Sequence, residues 1–173
     1  MRRRITLAVV GAAWAAAATV AAASAAGLHF NRTASMPAGI WLQQPIHGDL
    51  TNGQAVVVCL PNTPEVRRYI GPGACPNGLE PLLKTVGAVA GDQVEITAAG
   101  VRVNGHPLLN TAPLTHDGAG HSITPYPAGT YRVGPGQIFL FSSHSPQSFD
   151  SRYFGPVVID NVKATATPVL TGK

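Results

Sequence analysis

Val94-Glu95-Ile96-Thr97-Ala98-Ala99-Gly100-Val101-Arg102-Val103-Asn104-Gly105 is the stretch that decides the fold class. Its runs 94–97 and 101–103 alternate apolar with polar side chains, the period of a strand that rests one face on a core. Ala98-Ala99-Gly100 between them reads as a hairpin turn, and Asn104-Gly105 marks another, since both residues tolerate the positive φ of tight turns. Strands joined this closely are antiparallel, so the stretch is a meander. Working outward, the first of these β-like runs extends back to Gln93 as 93–97, and residues 39–44, 55–60, 81–90, 137–142 and 156–159 are further short ones separated by turn residues. One helix is expected beyond the N-terminal segment, over 63–70, with Thr63 as N-cap, Pro64 in the first helical position and Gly71 as the stop. Residues 108–129, rich in Gly, Pro, Thr and His, follow no period and read as a long surface excursion. No internal repeat is visible, and the whole predicts a mainly β domain of antiparallel sheets.

The 173 residues divide into an N-terminal segment, 1–30, and a single domain, 31–173, long enough to bury a core. Gly 19 and Pro 15 make up about a fifth of the chain, above the usual share of about 12%, and are spread along it, which suits turn-rich β structure rather than disorder. The net charge is +4, but three positive charges lie in Met1-Arg2-Arg3-Arg4. The domain is therefore nearly neutral, and no basic stripe invites nucleic acid. Residues 5–30 carry no charged side chain, and a helix of about 20 residues at about 1.5 Å each crosses a bilayer core. Arginines ahead of that run hold the N-terminus in the cytoplasm and direct the domain out of it. Two fates fit. The segment stays as a single-pass anchor in the inner membrane with the domain in the periplasm, or it is removed at a small-x-small site in Ala21-Ala22-Ala23-Ser24-Ala25, releasing the domain to the periplasm. In either case Cys59 and Cys75 can form a disulfide, closing a loop of about 15 residues worth roughly 3 kcal/mol, or remain two thiols. Metal binding is disfavoured, because neither Cys-x-x-Cys nor His-x-x-x-His spacing accompanies them.

Three constellations carry chemistry. Asn31-Arg32-Thr33-Ala34-Ser35-Met36-Pro37-Ala38-Gly39 adjoins the apolar run directly, placing the Ser35 hydroxyl near a bilayer surface. Alone, it reads as a turn, and a serine needs a base to become a nucleophile. Leu82-Leu83-Lys84-Thr85-Val86-Gly87-Ala88-Val89-Ala90-Gly91-Asp92 puts one lysine in an apolar strand. Facing inward, its amine would be desolvated, its pKa lowered from about 10.4, and it could act as a base; on the opposite strand face it would be a solvated ammonium. In Ser148-Phe149-Asp150-Ser151-Arg152-Tyr153-Phe154-Gly155, Asp150 and Arg152 are spaced for a local ion pair, and Ser148 can present a hydroxyl to a lysine amine. The plain alternative is a polar surface loop.

The order of these three motifs, with Pro81-Leu82-Leu83-Lys84, the run Gly100-Val101-Arg102-Val103-Asn104-Gly105 and the two cysteines, resembles the type I signal peptidase family, in particular its conjugative-transfer branch, the TraF peptidases. The resemblance implies coiled antiparallel sheets with an SH3-like barrel element, as in signal peptidase and LexA. It implies Ser35 as nucleophile, Lys84 as general base, Ser148 orienting that lysine, Asp150 with Arg152 bracing the site, and Thr33 joining backbone N–H groups in the oxyanion hole. The implied activity is a serine endopeptidase processing exported precursor proteins, with propilin maturation in conjugative DNA transfer the expected task. The partners are then the precursor, the inner membrane and the mating-pair formation apparatus, with no nucleic acid, cofactor or metal. Two positions depart from the pattern: Ser142-Ser143-His144 replaces a common Gly-Asp-Asn, and Thr85 stands where a basic residue commonly succeeds the lysine. Alternatives are general preprotein processing, an inactive scaffold of a conjugation or secretion apparatus, and a Ser-His-Asp hydrolase using His144 near Asp150. A self-cleaving LexA-like repressor would need a DNA-binding module ahead of the domain, where an export segment is expected instead.

Overall fold

The structure is a computed structural model that describes residues 2–172, with side chains from Val10 onward. Helix α1 (Arg2–Ala25) leads into β1 (Leu28–Asn31) and β2 (Gly39–Gln44), then β3 (Ala55–Val58), α2 (Pro64–Arg67) and β4 (Leu82–Ala88). Next come β5 (Gln93–Thr97), β6 (Gly100–Val103), β7 (His106–Pro107), β8 (Gly129–Arg132), β9 (Gln137–Phe141), α3 (Ser151–Phe154), β10 (Val157–Val158) and β11 (Val162–Thr171). The uncharged N-terminal run is thus split: its last residues are a strand. Among the described residues no helix is long and apolar enough to cross a membrane.

Two antiparallel sheets result, a seven-stranded one in the order β1-β2-β11-β3-β4-β9-β10 and a four-stranded one in the order β7-β6-β5-β8. In the smaller sheet Thr97 pairs with Gly100 and Val103 with His106, so both expected hairpins have two-residue turns. Asn104 and Gly105 both take positive φ, 51° and 81°, which matches the right-handed twist of the strands they join. The sheets share a core through β9. Its Ile138 and Leu140 pack with Val56, Val58 and Val86, while Phe139 and Phe141 pack with Val94, Ile96 and Val101 of the smaller sheet. A strand covered on both faces must be apolar throughout, and β3 is so, as are the inner residues of β9.

The expected helix over 63–70 is shorter than the sequence pattern suggests. Thr63 does cap it, its Oγ1 accepting from Val66 N–H at 3.3 Å, but regular helix ends at Arg67 and gives way to turn. Cys59 and Cys75 are joined, and among the described residues no cysteine is free. Serine at both positions is expected to cost about 3 kcal/mol, read as a lower midpoint in urea unfolding. An unchanged midpoint would show that hydrogen bonds alone hold this loop.

Candidate active site

Asn31 ends β1 opposite Gly39 of β2, and the connection between them carries Ser35. A connection of this length needs internal bonding to hold a shape, and one side chain supplies it. Asn31 Nδ2 donates to the carbonyls of Met36 at 3.0 Å, Pro37 at 3.1 Å and Thr33 at 3.2 Å. Its Oδ1 accepts from the Thr33 hydroxyl at 2.8 Å and the Thr33 N–H at 3.3 Å. The turn is pinned from below by Met36, buried with Trp41, Val57 and Ala166, and Trp41 Nε1 donates to the Pro37 carbonyl at 3.0 Å. Thr85, the residue after the lysine, donates its hydroxyl to Met36 Sδ at 3.6 Å, so this departure from the family pattern links two motifs.

Lys84 lies on β4 opposite Val56 of β3, on the buried face shared with Val86. Only 2% of it is exposed, which disposes of the solvated alternative. Nζ donates to Ser148 Oγ at 3.0 Å. Burial is the largest influence on the amine and lowers its pKa from 10.5 to about 8; Asp150 opposes that shift and Arg152 adds to it.

Asp150 and Arg152 are both fully buried and form an ion pair, Arg152 Nε to Asp150 Oδ1 at 2.8 Å. The carboxylate caps α3 through Arg152 N–H at 3.1 Å and also accepts from Ser142 N–H at 3.1 Å. The guanidinium donates to the carbonyls of Asn110, Ala112, Pro146 and Ser148 at 2.9 to 3.2 Å. Both charges of the pair are matched and the guanidinium nitrogens all donate, the condition under which a buried ion pair is tolerated. The pair thereby ties the excursion after β7 to the loop carrying Ser148. Ser142 completes the link, because its hydroxyl donates to the Ser35 carbonyl. Asn31 and Ser142 are structural partners to which the sequence motifs assign no role.

Ser35, Lys84 and Thr33 line one open cleft of about 780 Å³, with Ser148, Asp150 and Arg152 behind its wall. Among the described residues no hydrogen bond joins the Ser35 hydroxyl to the Lys84 amine, and such bonds commonly tighten only around substrate. The Ser-His-Asp alternative is not built. His144 sits in a separate pocket with Met36, Thr85 and Phe141, and Asp150 is committed to Arg152 and Ser142.

Known proteins share this chain's sequence over most of its length. The chain is 38% identical over 162 residues to a probable conjugal transfer protein TraF of Sinorhizobium fredii, covering 91% of this chain and 84% of that one. It is 36% identical over 174 residues to a plasmid transfer protein TraF of Escherichia coli, covering 98% and 97%. It is 37% identical over 174 residues to a conjugal transfer protein TraF of Agrobacterium tumefaciens, covering 98% and 97%. A signal peptidase I of Enterococcus faecalis superposes with a TM-score of 0.40 at 18% identity, over 69% of this chain and 98% of that one. The family model described as signal peptidase, peptidase S26, matches residues 2–170, and with near-complete coverage by the TraF proteins it assigns the chain: it belongs to the S26 signal peptidase family, as a TraF-like member.

Proposed function

We propose that the chain is a serine endopeptidase acting through a Ser35/Lys84 dyad on exported precursor proteins, with propilin maturation for conjugative transfer as its task. The observation that carries this reading is the buried Lys84 amine, aimed by Ser148 and lining the same cleft as Ser35. With its pKa near 8, a useful fraction of the amine is neutral at working pH and able to take the serine proton. Ser35 Oγ then attacks the scissile carbonyl, the proton passes through Lys84 Nζ to the leaving amine, and water hydrolyses the acyl-enzyme by the reverse route. Thr33 Oγ1 and the Ser35 N–H are assigned to the oxyanion, the hydroxyl turning from Asn31 when substrate enters. The paired Asp150 and Arg152 hold Ser148 without touching substrate.

The names of the TraF relatives support the conjugative setting. An inner-membrane site, with the domain on the periplasmic side and mating-pair components as neighbours, is supported by Arg2-Arg3-Arg4 before an uncharged run. We assign the β5 to β8 sheet to the SH3-like barrel element of the family. The test is labelling with a small acylating electrophile. Mass spectrometry should place one adduct on Ser35, and its rate should climb between about pH 6 and about pH 9 as the amine deprotonates. A flat profile, or an adduct elsewhere, would remove the dyad.

A further inference from the structure

The cleft holds a second chemical feature that the Ser35 and Lys84 chemistry leaves unused. Of its described lining side chains one is acidic, Glu80. It is half-buried, and among the described residues its carboxylate enters no ion pair and accepts no hydrogen bond. A carboxylate facing a cleft without a cation of its own is an open position for one from a ligand.

Its backbone is firmly held. Glu80 closes a short hairpin stapled to the end of β3 by the Cys59 to Cys75 disulfide. Within it Pro72 bridges to Leu79, Gly73 N–H donates to Gly78 O at 2.9 Å, and Glu80 N–H donates to Gly71 O at 2.8 Å. Asn77 Nδ2 donates to the Leu60 carbonyl at 2.7 Å, fastening the hairpin tip. The two arms touch closely enough that a Cβ on Gly73 would lie 2.4 Å from Glu80 Cα, so only glycine fits there. A backbone held this firmly leaves only the Glu80 side chain to be ordered when a ligand binds.

The position also sets a register. Glu80 precedes Lys84 by four residues, and extended chain advances about 3.3 Å per residue, so the two lie at most about 13 Å apart along the wall. An extended peptide lying in the cleft covers that distance with about four residues of its own. Arg32 and His29 line the same cleft, and among the described residues neither pairs with Glu80, the one lining side chain that can meet a basic substrate group with an opposite charge.

We infer that Glu80 is a specificity-determining residue, selecting substrates that carry a lysine or arginine side chain about four residues from the scissile bond. The inference rests on the reading of Ser35 and Lys84 as the reacting pair. It is tested with peptides of alanine, serine and glycine around a central Ala-Ala bond, each bearing a single lysine or glutamate at one position on either side. With the wild-type protein, lysine should exceed glutamate in kcat/KM by about fivefold at one position about four residues from the bond, mainly through KM, and the ratio should shrink with salt. Glu80→Gln should bring that ratio to about one, and Glu80→Lys should invert it. Identical lysine-to-glutamate ratios in wild type and Glu80→Gln at every position would overturn the assignment. Equilibrium binding of the same peptides to the Ser35→Ala protein separates this from the dyad: a lysine preference in binding that Glu80→Gln abolishes supports Glu80 independently of turnover, whereas its absence overturns it. Cleavage persisting in Ser35→Ala would instead refute the nucleophile assignment.

Discussion

Replacing Lys84 with methionine is expected to lower peptide cleavage by at least about a thousandfold while the fold remains intact. Methionine keeps the length of the stem against Val56 and Val86 and removes only the amine. Ser35→Ala should be as damaging, and the double variant no worse than either, because nucleophile and base act as one unit. Precursor turnover by each variant, with circular dichroism as a control on folding, gives the measurement. Near-normal cleavage by folded Lys84→Met would refute the dyad. The same variant carries a stability signature. The folded pKa of Lys84, about 8, lies below the unfolded value of 10.5, so between these the unfolded chain binds a proton that the folded one lacks. Stability therefore falls as pH drops from 10.5 to about 8, and a penalty of about 3 kcal/mol persists below that. Methionine escapes it at a cost of about 1 kcal/mol for the lost bond to Ser148. Urea unfolding should find Lys84→Met more stable than wild type near pH 7, with the advantage gone above 10.5.

Where one physical signal dominates, the sequence is a good guide to this structure. Strands β2 and β5 start and stop where the alternation and flanking turn residues say they should, and β3, β4, β6 and β9 differ only at their ends. Strand β1 is hidden because Leu28-His29-Phe30 continues an uncharged run, and charge alone cannot mark where a helix yields to a strand. Strand β11, central between β2 and β3, escapes notice because Pro168 interrupts its pattern; the register shift between Pro168 and Leu170 shows how the sheet accommodates the missing N–H. Helix α3 is a single turn created by the Asp150 cap, below the length at which periodicity can be seen. The site divides similarly. Ser35, Lys84, Ser148, Asp150 and Arg152 can be singled out as candidates because their motifs stand in the order of the family the sequence resembles, and the fold brings Ser35 and Lys84 to one cleft with Ser148 bonded to the lysine. Asn31 and Ser142 are not so marked, since their work is bonding to backbone carbonyls brought near by the fold.

Arg152 and Asp150 should reveal themselves as a coupled electrostatic brace, with effects that plain destabilisation cannot imitate. Arg152→Met strands the Asp150 carboxylate in the interior and frees four carbonyls that the guanidinium now ties together. Breaking one side of a buried pair costs about 3 to 5 kcal/mol, a large share of the roughly 5 to 15 kcal/mol that holds an ordinary domain. Arg152→Lys should recover little of this, because a point charge cannot reach several carbonyls and both carboxylate oxygens at once. Asp150→Asn leaves the guanidinium its carbonyl partners and should be the milder change, though its amide cannot serve all the donors the carboxylate now serves. The distinguishing result lies in the pH profile. Asp150 raises the pKa of Lys84 and Arg152 lowers it, so the lysine limb of the activity profile should move to lower pH in Asp150→Asn and to higher pH in Arg152→Met, which removes the positive charge. Both are measured on folded protein below its thermal transition, with the midpoint of kcat/KM against pH as readout. Two limbs moving in the same direction, or neither moving, would show that the pair supports the loop without tuning the base.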